Sequence, residues 1–205
     1  MKYLKKFNEN INSSEIEAIC NEYNIENYII NEDDSIDVDG NVDLYDKKLK
    51  VLPLKFRKVS GNFHCGYNQL ISLEGAPQRV GGRFDCSGNQ LTSLEGGPQR
   101  VGEYFSCYSN NNNLKNIDYL PKYYKGLCIS NNPISKILDL FTKPDVYGCI
   151  SNREDKDLIM DFIDREMIQQ DILLVNRLVE FLYDIDKPKT REELIELLKN
   201  DYEIR

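Results

Sequence analysis

Apolar and polar positions recur at a fixed interval of 21 residues through the middle of the chain. The segments GNFHCGYNQLISLEGAPQRVG (61–81) and GRFDCSGNQLTSLEGGPQRVG (82–102) abut without a gap and agree at 15 positions. Five of the six cysteines keep the same interval, and an asparagine follows three residues after each: Cys65/Asn68, Cys86/Asn89, Cys107/Asn110, Cys128/Asn131 and Cys149/Asn152. A fixed internal period indicates a repeat protein in which each unit packs against its neighbours.

The repeat motif Phe-x-Cys-x-x-Asn-x-Leu predicts a short strand followed by a turn. Phe84 and Cys86 are two residues apart, so both lie on one face of a strand, and we expect that face to point into the core. Asn89 ends the strand, where its amide can satisfy backbone groups of the turn and of the next coil. The glycines and the proline that follow bend the chain back without a helix, through turns, extended segments or 3₁₀ pieces. We predict an α/β repeat: a right-handed leucine-rich-repeat solenoid of about six 21-residue coils with a parallel β-sheet.

The segments on either side of the repeats predict caps. Residues 1–41 contain a short helix over 13–23 with a serine cap, followed by a hairpin whose turn is NEDDS. The solenoid proper spans residues 42–152, beginning with a degenerate coil near Val42. Residues 153–205 predict two or three helices, the last opened by a capping box of Thr190 and Glu193. We expect these segments to cover the two open ends of the core.

Composition and charge narrow the class of protein. No apolar run approaches the roughly 18 residues of a membrane span, and the N-terminus lacks the apolar stretch of a signal peptide. We therefore expect a cytoplasmic protein, not bound to a membrane, whose six cysteines are thiols. The net charge of −8 is uneven, because residues 42–152 carry 14 basic and 9 acidic side chains between two acidic flanks. That distribution argues against a general nucleic-acid binder.

Four of the six differences between segments 61–81 and 82–102 fall around the fixed Phe and Cys: three alternate with them, and the fourth, Tyr67/Gly88, lies at the end of the strand. These side chains point outward along the strands, and we expect them to form a concave surface for a protein partner. Tyrosine is enriched at interfaces because it buries a large area at low entropic cost. Outward apolar side chains between 127 and 150 need a cover, which either the C-terminal helices or a partner supplies. The candidate partner-binding residues are Tyr45, His64, Tyr67, Arg83, Asp85, Tyr104, Ser106, Tyr108, Leu127 and Ile129.

One outward row carries candidate chemistry. Asp43, His64, Asp85 and Ser106 occupy equivalent positions in four successive coils, with steps of about 5 Å. A Ser-His-Asp triad needs contact between serine and histidine, but an aspartate separates them here. The three residues Asp43, His64 and Asp85 could hold a divalent metal, so a metal-dependent enzyme is an alternative. The cysteine row faces the core and predicts packing rather than chemistry. We expect no cofactor and no catalytic residues.

A row of basic residues, which we call the basic file, recurs at the same interval in the segment that leads from the end of one strand back to the start of the next. Lys58, Arg79 and Arg100 fall on it, with Glu74 and Glu95 nearby in each coil. Ion pairs between coils are the favoured interpretation, and phosphate contact is the alternative. Nucleic-acid binding through this basic region therefore stays open as a second alternative function, and self-association through concave or terminal strands as a third.

The repeats resemble a known family. The stretches CSGNQLTSLEGGPQRVG, SIDVDGNVDL and LPLKFRKVSGNFHC are similar to the short leucine-rich-repeat proteins encoded by tailed bacteriophages. The resemblance covers residues 36–138 well and the C-terminal helices loosely, and the four-Asn run 110–113 departs from it. It implies the solenoid fold, a viral origin and the cytoplasm of the host cell. By analogy, the expected function is non-catalytic binding of a host protein, such as the inhibition of a defence or regulatory factor.

Overall fold

The computed structural model describes residues 11–111, 113–145, 148–169 and 172–205, and it shows a parallel-strand β-solenoid of about four turns with several helices. The helices are α1 (Ser13–Glu22), α2 (Pro133–Leu138), α3 (Arg153–Asp164), α4 (Val175–Asp184) and α5 (Arg191–Leu198). The strands are β1 (Tyr28–Ile30), β2 (Ile36–Val38), β3 (Val42–Asp43), β4 (Phe56–Val59), β5 (Phe63–His64), β6 (Arg79–Val80), β7 (Phe84–Asp85), β8 (Arg100–Val101), β9 (Tyr104–Ser106), β10 (Gly126–Cys128), β11 (Cys149–Ile150), β12 (Ile168–Gln169), β13 (Ile172–Leu173) and β14 (Glu203–Ile204).

Each turn of the solenoid contributes one strand to each of two sheets. The front sheet has the order β11-β10-β9-β7-β5-β3, and the back sheet has the order β1-β2-β4-β6-β8. Parallel pairing keeps the 21-residue step from β3 to β9 in the front sheet and from β4 to β8 in the back sheet, so Phe63 lies beside Phe84 and Lys58 lies beside Arg79. The sequence predicted only the front sheet. The back-sheet strands are only two to four residues long, and they form because equivalent residues of adjacent coils lie within hydrogen-bonding distance.

The fixed aromatic and thiol positions of the repeat form the core, as predicted. Phe63, Phe84 and Phe105 are fully buried and stack with ring centroids 5.5 and 5.4 Å apart. The thiols of the same coils (Cys65, Cys86 and Cys107) are also fully buried. Burying a side chain of this size stabilises the folded state by roughly 1.5–3 kcal/mol, so the phenylalanine column is a main source of stability.

A ladder of asparagine amides joins the coils as predicted, except that each amide bonds to the preceding coil and not to the next one. Asn89 Nδ2 donates to the carbonyl oxygens of Cys65 and Cys86, each at 3.0 Å, and its Oδ1 accepts from Leu70 N at 3.0 Å. Asn68 makes the equivalent contacts one coil earlier. Each amide therefore satisfies backbone groups of its own coil and of the preceding one, which would otherwise be buried without partners.

The ladder departs from the 21-residue interval at its last rung. Asn132, and not Asn131, donates to the carbonyls of Cys107 (2.9 Å) and Ile129 (2.8 Å). In the same coil Leu127 pairs with Phe105, so this step is 22 residues long. One extra residue reverses the side to which every following strand residue points. The regular spacing of Cys128 and Asn131 in the sequence is therefore misleading here.

The solenoid ends earlier than the predicted six coils. Strand β11 pairs with β10 in the antiparallel direction, because α2 and the segment after it reverse the chain. Residues around Cys149 therefore do not form a sixth parallel coil. The antiparallel register places Cys149 directly opposite Cys128, and the two form a disulfide. The expectation that all six cysteines are thiols is wrong for this pair.

The N-terminal elements appear where the sequence placed them. Helix α1 begins after Asn12, whose side chain caps it in a reciprocal capping box with Glu15, so the cap is Asn12 rather than the expected serine. The β1–β2 hairpin is present, and β2 is also the first parallel strand of the back sheet. The expected absence of a signal peptide concerns residues 1–10, which lie outside the described residues.

The C-terminal part contains the predicted helices and a small sheet that the sequence did not predict. The capping box of Thr190 and Glu193 is confirmed at the start of α5. Strands β12, β13 and β14 form a three-stranded sheet, so α3 ends at Asp164 and the apolar residues after it are extended. Tyr202 Oη donates to Lys115 O at 2.8 Å, which ties this part to the solenoid. None of the helices in the described ranges has the length and apolarity needed to cross a bilayer.

Candidate functional site

The outward side chains of the front sheet form the surface that we call the front face. Asp43, His64, Asp85 and Ser106 pair in register across β3, β5, β7 and β9, so the predicted row exists. Its exposure falls along the solenoid: Asp43 is exposed, His64 and Asp85 are half-buried, and Ser106 is buried. The accessible part of the row therefore lies in the first three coils.

Arg83 covers the buried end of this row. Its Nη2 donates to Asp85 Oδ2 at 3.1 Å and to Ser106 Oγ at 2.9 Å, so one guanidinium joins two strands of the front sheet. Asp85 Oδ1 also accepts from the backbone N–H of Ser87 at 3.0 Å. These bonds fix the charged side chains in one arrangement, which lowers the entropic cost of presenting them to a partner.

Four tyrosines flank the row on the front face. The rings of Tyr45 and Tyr67 lie 5.2 Å apart and are 49% and 47% exposed, and Tyr104 is 38% exposed. Tyr67 lies over Gly88, where an added Cβ would stand 3.1 Å from the ring. The hydroxyl groups of Tyr67 and Tyr108 share a hydrogen bond, which together with burial raises the pKa of Tyr108 to about 12. Tyr45, Tyr67 and Tyr108 therefore form one connected aromatic group, and Tyr104 adds a further exposed ring to the front face.

The structure does not place Leu127 and Ile129 on this surface. Both are buried, because the 22-residue step turns them into the core and turns Cys128 into the outward row beside Ser106. Ile150, which pairs with Leu127, is buried too. The prediction of an outward apolar patch between 127 and 150 that needs a cover is therefore wrong, and these side chains belong to the core instead.

The catalytic alternatives find no support in the geometry of the row. Ser106 Oγ accepts its hydrogen bond from Arg83, and Asp85 lies between Ser106 and His64 in the register of the sheet. Burial raises the pKa of the Cys65, Cys86 and Cys107 thiols well above the ordinary range, so none is an activated nucleophile. Across the described residues, no group of three His, Cys, Asp or Glu side chains is arranged to hold a metal ion, the Asp43–His64–Asp85 row included.

The basic file lies on the outward surface of the back sheet. Lys58, Arg79 and Arg100 pair in register and are exposed. The favoured interpretation was ion pairing between coils, but within the described ranges no salt bridge joins these cations to Glu74 or Glu95. The side chain of Arg100 instead stacks on Tyr123, with its Cζ 4.6 Å from the ring centroid. The file therefore remains available to an external anion.

The basic file continues into a cleft that the sequence analysis did not single out. Its volume is about 380 Å³, and it lies where the last coil of the back sheet meets α3. Tyr123 bridges to Arg100 in the parallel direction, 23 residues further along the chain, and so occupies the next position of the file two residues late. The 21-residue interval points to Pro121 instead, so the sequence pattern did not reveal this continuation.

Comparison with known protein families, with curated proteins and with solved structures finds no match to this chain.

Proposed function

We propose that the chain is a leucine-rich-repeat solenoid with capped ends that binds a protein partner through its front face and catalyses no reaction. The observation that carries the proposal is the set of four front-face tyrosines, three of them more than a third exposed and two of those three, Tyr45 and Tyr67, in ring contact. Exposed aromatic side chains of this kind are costly to leave unpartnered and are over-represented among residues that dominate binding energy.

The arrangement of these tyrosines supports a preformed binding surface. Tyr67 is held between Tyr45, the hydroxyl of Tyr108 and the backbone of Gly88. Rings that are fixed before binding lose little conformational entropy when a partner covers them. Each buried tyrosine at the centre of such an interface contributes about 2 kcal/mol or more to affinity.

Charged groups border the tyrosines and supply specificity. Asp43 and His64 lie on the accessible side of the row, and the Arg83–Asp85 pair lies on the other side. A polar rim around an aromatic centre is the usual anatomy of a protein interface. The resemblance to phage-encoded repeat proteins supports a partner from the bacterial host, and a host defence or regulatory factor in the cytoplasm fits that origin.

The test is quantitative affinity capture from a bacterial host lysate with paired variants. Wild-type protein, Tyr45→Ala/Tyr104→Ala and Tyr119→Ala/Tyr183→Ala are each immobilised, and bound proteins are quantified by mass spectrometry. The control pair removes two tyrosines that are also exposed (51% and 74%) but lie away from the front face. We expect a host protein that both the wild type and the control retain and that the front-face variant loses by about tenfold or more.

A captured candidate is then purified and titrated against the same three proteins by calorimetry. Equal affinity for the wild type and the front-face variant would contradict the proposal, as would loss of binding in the control variant alone.

A further inference from the structure

The cleft between the back sheet and α3 concentrates positive charge on an otherwise acidic protein. It is bounded on one side by β8 and residues 122–125, and on the other by the first two turns of α3. One carboxylate, that of Asp157, lines it, while the chain as a whole has a net charge of −8. The cationic side chains that line the cleft are those of Arg100, Lys122, Lys125, Arg153 and Lys156.

These cations are only weakly neutralised by the protein. Lys125 lies 3.7 Å from Glu103, and Arg153 lies 3.7 Å from Asp157, with the side chains of both pairs more than half exposed. Exposed ion pairs of this length contribute little stability and exchange readily for a better anion. In the described parts of the chain, no carboxylate lies within salt-bridge distance of Lys122 or Arg100.

The cleft also contains an aromatic platform. Tyr123 is 59% exposed and stacks with the guanidinium of Arg100 at its rim. Lys156 is positioned by donating to the backbone carbonyl of Lys125 at 3.2 Å. A planar stacking surface beside convergent lysine and arginine side chains is the combination that recognises a base together with its phosphates.

We propose that this basic cleft binds a nucleotide carrying two or more phosphate groups. The phosphates lie among Lys122, Lys125, Arg153 and Lys156, and the base stacks at Tyr123. The volume of about 380 Å³ falls in the range of small-molecule sites, whereas a long polyanion would have to follow the file of Lys58 and Arg79 along the back sheet. The site lies on the opposite sheet from the front face and does not depend on the proposed protein partner.

The test is calorimetric titration of the full chain with three probes: adenosine triphosphate, inorganic pyrophosphate and a single-stranded oligothymidylate. Titrations are run at about 50 and 150 mM salt, because binding between charges weakens as salt screens them. We expect adenosine triphosphate to bind one equivalent per chain, more tightly than pyrophosphate. Lys122→Ala/Arg153→Ala should weaken the binding of both by about tenfold or more.

Two further variants isolate the parts of the site. Lys47→Ala/Lys50→Ala removes the same charge from exposed positions outside the cleft and should leave the affinity for adenosine triphosphate within about twofold. Tyr123→Ala should weaken the binding of adenosine triphosphate several-fold and leave the affinity for pyrophosphate unchanged. Urea unfolding of each variant checks that the fold is intact.

The remaining outcomes overturn the proposal. Absence of saturable binding by adenosine triphosphate rejects the site. Pyrophosphate binding that equals that of adenosine triphosphate, with no effect of Tyr123→Ala, rejects the nucleotide assignment. Oligothymidylate could bind far more tightly than adenosine triphosphate, with the control variant weakening that binding as much as the cleft variant does. In that case the positive charge attracts polyanions without specificity, and the proposal is rejected.

Discussion

Replacing Asn132 by alanine tests whether the last rung of the asparagine ladder lies where the structure puts it. The 21-residue interval assigns this role to Asn131, whereas the structure assigns it to the next residue. The side chain of Asn132 is buried and makes three short hydrogen bonds to backbone: to Cys107 O (2.9 Å), to Ile129 O (2.8 Å) and from Asn110 N (3.1 Å), beside a longer one to Ser130 O (3.4 Å). Alanine removes all three and leaves their backbone partners without replacements.

The expected loss of stability follows from these three bonds. A buried hydrogen bond contributes about 1 kcal/mol net, so we expect Asn132→Ala to lower the free energy of unfolding by about 3 kcal/mol. For a chain of this length that corresponds to a fall of about 6–12 °C in the melting temperature. Asn132 precedes α2 but makes no side-chain capping bond, so loss of a helix cap does not add to the effect.

The matched control is Asn131→Gly. Asn131 is exposed, has a backbone φ of 59°, and donates only to Ser109 Oγ at 3.2 Å. Glycine accepts that φ without strain, so the change should stay within about 0.5 kcal/mol.

Urea unfolding followed by far-ultraviolet circular dichroism gives both values from the midpoint and slope. A large loss of unfolding free energy in Asn131→Gly, with little change in Asn132→Ala, would refute the 22-residue step and support the regular 21-residue interval. Equal losses would refute the distinction between the two positions.

Three further predictions follow from the core, the disulfide and the front face. Burial raises the pKa of the Cys65, Cys86 and Cys107 thiols above the value of 9.0 that they have in the unfolded chain. The protonated thiols therefore contribute their full stability to the fold below pH 9, and that contribution is lost as the pH rises above 9. Between pH 8 and 10 each of these thiols should cost about 1.4 kcal/mol of unfolding free energy. Burial also raises the pKa of Cys20, to about 11, which adds a similar loss, so Cys86→Ala should remove about a quarter of the combined loss in urea titrations. Alkylation in urea without reductant should modify Cys20, Cys65, Cys86 and Cys107 and leave Cys128 and Cys149 unmodified, as measured by mass spectrometry; six modified cysteines would contradict the disulfide. Gly126→Ala should displace the ring of Tyr104, because a Cβ there would stand 2.5 Å from the ring. The variant should capture less of the partner and keep nearly the same melting temperature. Undiminished capture would exclude this ring from the interface.

The sequence was sufficient to predict the parts of the fold that depend on local period. Phe84 and Cys86 alternate with Asp85 along a strand, so the side that each faces follows from geometry alone. Asn89 could be assigned to the turn because an amide has both a donor and an acceptor for the backbone there. The capping box of α5 was predictable for the same local reason.

The features that the sequence did not reveal depend on contacts between coils. The back-sheet strands are two to four residues long, which is too short to show a pattern before the neighbouring coil is placed. The extra residue between Phe105 and Leu127 was hidden because Cys128 happens to keep the 21-residue interval. The disulfide required the reversal of chain direction at β11, which no local pattern signals.

The same distinction applies to the front face. Tyr45, Tyr67 and Tyr104 were placed on it from strand alternation, and the structure leaves them exposed there. Leu127 and Ile129 were misplaced because their assignment depended on the interval holding past the asparagine run. Errors in the candidate site therefore come from one inserted residue rather than from the reasoning about the repeat.

The most direct test of the front face is site-specific photocrosslinking in a bacterial host. A benzoylphenylalanine replaces Tyr104 in one variant and Tyr183, an exposed tyrosine on α4, in the other. The account predicts that light joins the Tyr104→benzoylphenylalanine protein to one discrete host protein and leaves the Tyr183→benzoylphenylalanine protein without that product. Crosslinking only from position 183, or the same product from both positions, would contradict it.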